Sequence, residues 1–153
     1  MRLRSLFICI FTLSLSLVPT LALHAAGPEI TAYRLSTCGC CHLWGGHLER
    51  NGFQVTMNIV PDMAEYRLRF GVPKKLESCH TAIVEGYTIE GHVPAGDILR
   101  LLKERPAAKG LAVPGMATGS PGMEGDGSVR DAYDVLLFTE DGKTSVFHHY
   151  PGS

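Results

Sequence analysis

The order of elements legible in the sequence predicts an α/β sandwich. Three observations carry this: two alternating apolar runs at residues 30–35 and 53–60 that enclose a helical segment, a hairpin pattern across 81–90, and a terminal strand pair around an Asp-Gly turn. Parallel strands joined by a helix and followed by an antiparallel pair are the elements of a thioredoxin-like layout. A long Gly/Pro/Met loop and an extra C-terminal β-hairpin are appended to it.

Ile30 to Leu35 alternates apolar and polar side chains and reads as the first strand. A helix is expected over Cys41 to Arg50, with Leu43, Trp44, His47 and Leu48 on its apolar side and Asn51-Gly52 as its stop. Gly45-Gly46 inside it costs roughly 1 kcal/mol per glycine relative to alanine, so either a neighbour packs closely there or the helix is marginal. Phe53, Val55, Met57 and Ile59 alternate in the second strand. Pro61-Asp62 opens a helix that ends at Gly71-Val72-Pro73. Thr81 to Glu85 and Tyr87 to Glu90 form a hairpin about Gly86, and Pro94 to Arg105 is the last helix. Residues 107–128 are rich in Gly and Pro and read as a loop. Tyr133 to Phe138 and Lys143 to His149 then flank Asp141-Gly142, a strong hairpin signal. His148-His149 beside Tyr150 reads as a solvent-exposed tail.

Residues 1–26 have the tripartite pattern of a secretory signal peptide: Arg2 and Arg4, an apolar run from Leu6 to Val18, then small residues at Ala22, Ala25 and Ala26. Its cleavage discards Cys9 and leaves residues 27–153 as one domain without stable membrane insertion, delivered to the periplasm. Twelve basic and fifteen acidic residues remain, a net charge of −3. The Lys and Arg residues are dispersed, which argues against a nucleic-acid partner.

Four cysteines stay in the mature chain: Cys38, Cys40, Cys41 and Cys79. In an oxidising compartment an even count is the ordinary sign of structural disulfides. Vicinal Cys40 and Cys41 make a strained mutual bridge, which weighs against that account. Cys38 and Cys41 have the Cys-x-x-Cys spacing of a redox dithiol at a helix N-terminus, where the helix dipole favours thiolate. A thiol–disulfide oxidoreductase using this pair is therefore the alternative reading, and it leaves Cys40 unexplained. Thiolates select soft ions, Cu(I) above all. Three crowded sulfurs suit bridging between several Cu(I) ions better than wrapping one tetrahedral zinc. Met116 and Met123, each in a Pro-Gly-Met unit of the loop, add thioethers that no oxidant turns into disulfides. Cys79-His80, just before the third strand, comes beside the first cysteines by topology, and His92 precedes the third helix near the same sheet end. Both histidines are candidate ligands, whereas His42 and His47 read as surface or packing residues.

Thr37-Cys38-Gly39-Cys40-Cys41, Ser78-Cys79-His80-Thr81-Ala82, Glu90-Gly91-His92-Val93-Pro94 and Gly110-Leu111-Ala112-Val113-Pro114-Gly115-Met116 closely resemble the CopG-type periplasmic copper-resistance proteins, long catalogued as a domain of unknown function. The resemblance covers essentially all of residues 30 to 150. It implies a thioredoxin-like fold and copper held by Cys38, Cys40, Cys41 and Cys79, several ions with Cu(I) favoured. It also implies a role in interconverting Cu(I) and Cu(II), which would make the protein a copper oxidoreductase. Copper chaperones or efflux components of the periplasm are the expected partners.

Overall fold

The computed structural model describes residues 27–153; the expected signal segment 1–26, with Cys9, lies outside the described residues. Among the described residues, seven strands form one sheet in the order β2-β1-β3-β4-β5-β6-β7. β1 (Glu29–Arg34) pairs in parallel with β2 (Gln54–Ile59) through the crossover helix α1 (Gly39–Arg50). β3 (His80–Val84) runs antiparallel to both β1 and β4 (Tyr87–Glu90), as the hairpin pattern predicts. Helices α2 (Met63–Arg69) and α3 (Ala95–Glu104) complete the mixed α/β architecture. Asp62 caps α2 by accepting the Ala64 N–H at 2.9 Å, so this helix starts after the Pro-Asp pair. Among the described residues no helix is long and apolar enough to cross a membrane.

One element departs from the sequence reading. Within the expected loop 107–128, Gly110–Ala112 forms β5, parallel to β4 and antiparallel to β6 (Tyr133–Phe138). Three residues are too few to show a period, and Gly and Pro on either side mask them. All three are buried. Their consequence is large, because β5 welds the C-terminal hairpin of β6 and β7 (Thr144–Tyr150) onto the sheet.

The core joins Ile30, Trp44, Leu48, Ile89, Ile98, Leu101 and Leu111 across sheet and helices. Gly45 is buried where α1 meets β2, and a Cβ there would come within 2.6 Å of the Met57 methyl. Close packing, not marginal helicity, explains this glycine. His148-His149 is not a tail. Both residues lie in β7, where His148 Nδ1 pairs with Asp97 at 2.8 Å and His149 Nδ1 with Asp134 at 2.7 Å. Tyr150 donates a second bond to the buried Asp97 carboxylate at 2.8 Å, so the last strand is tied to the first turn of α3.

Candidate metal centre

β1 ends at Arg34, and a turn closed by Cys38 N–H donating to Leu35 O (3.1 Å) starts α1. Cys38 therefore takes the N-cap position, and Cys40 and Cys41 fall in the first helical turn. Cys38 and Cys41 are joined as a disulfide with Cα atoms 5.5 Å apart. This is the pair that the Cys-x-x-Cys spacing singles out. Cys40 and Cys79 remain free, and the Cys40 sulfur lies 3.6 Å from that of Cys38. All four sulfurs lie within 4.8 Å of one another.

Cys79 enters from the turn before β3. Its Sγ is 2.9 Å from His92 Nε2 and 3.4 Å from His80 Nδ1. Cys79, His80 and His92 thus make a second donor group, also within 4.8 Å, that shares Cys79 with the first. His92 Nδ1 lies 2.6 Å from the Pro121 carbonyl, which can only accept, so Nδ1 carries the proton and Nε2 presents its lone pair to Cys79. His80 is fully buried beneath Trp44, ring centroids 4.2 Å apart, and its Nε2 meets no hydrogen-bond partner. Burial, reinforced by His92, holds His80 well below the ordinary histidine range, and burial lowers His92 too. Both imidazoles are neutral at pH 7 and free to ligate. Burial and the nearby Cys40 push the Cys79 thiol up to about 12, so Cys79 keeps its proton at neutral pH, and a metal ion would have to displace that proton to bind the sulfur.

The two methionines separate. Met116 lines a groove of about 390 Å³ together with Cys38, Cys40, Cys79, Met63 and Arg67. Met123 does not line it; its N–H bonds Ser120 O at 2.8 Å within the strap of residues 113–131. Met63 is buried but reaches the same groove from the first position of α2. His42 is exposed, and His47 Nε2 accepts the Ala95 N–H at 3.1 Å, so neither joins the donors.

Two polar residues beside the site have no role assigned to them by the sequence. Glu90, fully buried, accepts the Ser78 N–H at 2.7 Å and the Thr81 hydroxyl at 2.6 Å, and Arg67 lies 3.4 Å away. No local pattern marks them, because their meaning is a contact between α2, β4 and the Cys79 turn. Burial pushes the Glu90 carboxyl from the ordinary 4.5 up to about 7, against the pull of Thr81, Ser78 and Arg67. The folded state then holds a proton that the unfolded chain has released between those pH values, so this group's contribution to stability falls as pH rises through that window, by about 3 kcal/mol. His47, His80 and His92, all lowered, act in the opposite direction below the ordinary histidine value of 6.5. Urea unfolding of the metal-free protein isolates the carboxyl by difference: Glu90→Gln should gain stability relative to wild type as pH rises from 5 to 7.5.

The family described as "Protein of unknown function, DUF411" matches residues 76–123. No curated protein matches the chain. Two solved structures described as copper resistance protein CopG, form 1 and form 2, superpose with TM-scores of 0.77 and 0.78 at 50% and 49% sequence identity. The alignments cover 81% and 82% of this chain and 98% and 99% of theirs.

Proposed function

The chain belongs to the CopG-type family of copper-resistance proteins, and from that premise we propose that it binds copper through Cys38, Cys40, Cys41, Cys79, His80 and His92. The observation that carries this reading is the shared sulfur: Cys79 belongs at once to a four-sulfur group and to a sulfur–imidazole group. Soft thiolates suit Cu(I), whereas a Cys-His-His set accepts copper in either oxidation state. Neutral imidazoles whose His80 Nδ1 and His92 Nε2 both face the Cys79 sulfur fit ligation better than a hydrophobic core role. The Met116 thioether stands at the groove mouth as a labile soft contact, and Met123 has a weaker claim because it lies off the groove. The Cys38–Cys41 bond must be reduced before all four sulfurs can ligate several Cu(I) ions.

The reading extends to handling in the periplasm after removal of residues 1–26, with copper chaperones or efflux components as partners, on a thioredoxin-like scaffold. It also extends to copper redox chemistry: oxidation of the Cys38/Cys41 dithiol to the disulfide forms the S–S bond, releases two protons to solvent and gives up two electrons, enough to reduce two Cu(II) to two Cu(I). X-ray absorption at the copper edge of reduced, loaded protein is expected to show sulfur-dominated coordination with a short copper–copper distance. Cys40→Ser should lower the number of Cu(I) bound per chain; an unchanged number would rule out bridging by Cys40.

Trp44, the single tryptophan, offers an independent readout. With its ring against His80, its emission should be quenched on loading with Cu(II), and His80→Gln should weaken the quenching. The Cys38–Cys41 bond equally favours the second reading, a thiol–disulfide oxidoreductase. That activity would reduce a protein disulfide without copper and be indifferent to Cys79→Ser.

A further inference from the structure

We propose that Glu90 is a positioning residue that fixes Cys79 and His92 relative to each other, by bonding with one carboxylate the residues on either side of the Cys79–His80 pair. The proposal deepens the copper reading and rests on it for its metal arm alone.

The need for such a device comes from the backbone. β3 begins at His80, so Cys79 lies just outside the ladder, in a turn that the main chain holds through one parallel bridge, Ser78 with Gly115, in which Gly115 N–H donates to Glu77 O at 3.3 Å. Ser78 N–H takes its acceptor from Glu90 Oε1 at 2.7 Å, not from a carbonyl. On the far side of the donor pair, Thr81 donates its hydroxyl to Glu90 Oε2 at 2.6 Å. Glu90 itself pairs with Thr81 across the hairpin and stands two residues before His92, so one side chain ties both donor-bearing segments.

Arg67 completes the arrangement from α2. Its guanidinium donates to the Ser78 carbonyl and lies 3.4 Å from Glu90 and 3.6 Å from Glu77. Ser78 in turn donates its hydroxyl to the Gly115 carbonyl, next to Met116. The turn is drawn in so far that a Cβ at Gly91 would come 2.5 Å from Ser78 Oγ. A fully buried carboxylate is costly unless paired and hydrogen-bonded, and the β3–β4 register is already set by main-chain bonds. What Glu90 adds beyond that register is the placement of the Cys79 turn.

The test uses metal-free protein, in which Cys40 and Cys79 are the free thiols of the mature domain. Alkylation by iodoacetamide, followed by peptide mapping, gives the Cys79 rate with Cys40 as internal reference. Glu90→Gln leaves an oxygen for Ser78 but removes the anion facing Arg67, and should raise the Cys79/Cys40 ratio about fivefold or more. Thr81→Val, which cuts one bond and retains the carboxylate, should raise it less, and it serves also if Glu90→Gln does not fold. A global loss of stability would move both thiols together. An unchanged ratio in a folded variant overturns the proposal. In copper-loaded protein the same variants should shift the visible sulfur-to-Cu(II) absorption band, and an unshifted band counts against it. Should wild type take up no copper, the copper reading falls while the alkylation result still decides the role of Glu90.

Discussion

Cys79→Ser is expected to cost the protein more copper than any other single substitution, lowering affinity by a hundredfold or so, or more. Loss of an outer partner of a metal ligand already costs about 10–100-fold, and this change removes a ligand itself. Cys40 belongs only to the four-sulfur group, and His80 and His92 only to the sulfur–imidazole group; Cys79 belongs to both. Serine nearly matches cysteine in size, and its hydroxyl can still donate to His92 Nε2. Folding stability should therefore change by no more than about 1 kcal/mol, and lost copper will not reflect lost structure. A hydroxyl is a hard donor that keeps its proton at neutral pH, so the variant should also release one proton fewer per chain on loading. Competition with a coloured Cu(I) chelator, alongside proton release in weakly buffered solution, checks both. Wild-type copper retention in the variant would remove the shared sulfur, and with it the proposed centre.

The sequence was most legible where chemistry and period coincide. Cys38, Cys40 and Cys41 at the end of an alternating strand announce a helix N-terminus, and they stand there. Cys79, His80 and His92 could be brought to the cluster because each borders a recognisable strand or helix. Long-range contacts stayed hidden. β5 is three residues of ordinary composition that become a strand only because β4 and β6 offer edges on both sides. Asp97 looks like a helix-start acid, yet it is the buried anchor for His148 and Tyr150, some fifty residues later. Met116 and Met123 sit in near-identical Pro-Gly-Met units, and only the path of the strap puts one in the groove and the other off it. Arg67 carries no signature, and Glu90, although it opens a family run, shows nothing of its contacts there, because an ion pair is defined by its partners.

Gly122→Ala should open the strap over the centre without touching a donor. Gly122 has φ +85°, where an L side chain is strained, and a Cβ would come within 2.8 Å of both Cys40 O and Trp44 N. Those atoms belong to the first turns of α1 and cannot retreat without unwinding the segment that carries Cys40 and Cys41. The strap must rise instead. Left-handed strain of about 1–2 kcal/mol plus overpacking of about 1–3 kcal/mol corresponds to an open population raised by about a hundredfold. Pro121 O then leaves His92 Nδ1, and Ser120, fully buried in the closed strap, meets water. Without the carbonyl that sets its tautomer, His92 loses its preorganised lone pair, and copper affinity at the sulfur–imidazole group should fall about 10–100-fold. The four sulfurs stay in place, so the number of Cu(I) ions bound at saturation should hold. That pattern, weaker affinity at constant count, separates this variant from Cys79→Ser. Hydrogen exchange across residues 113–131 should accelerate in step. Gly127→Ala is the control: φ is +78° but no atom stands within 4 Å of its Cβ, so it carries the strain without the collision. If Gly127→Ala weakens copper binding as much, backbone strain in the strap is the cause and its seat on α1 is not. If Gly122→Ala alone does so, the contact between the strap and the first turn of α1 is what holds His92 in its ligating form.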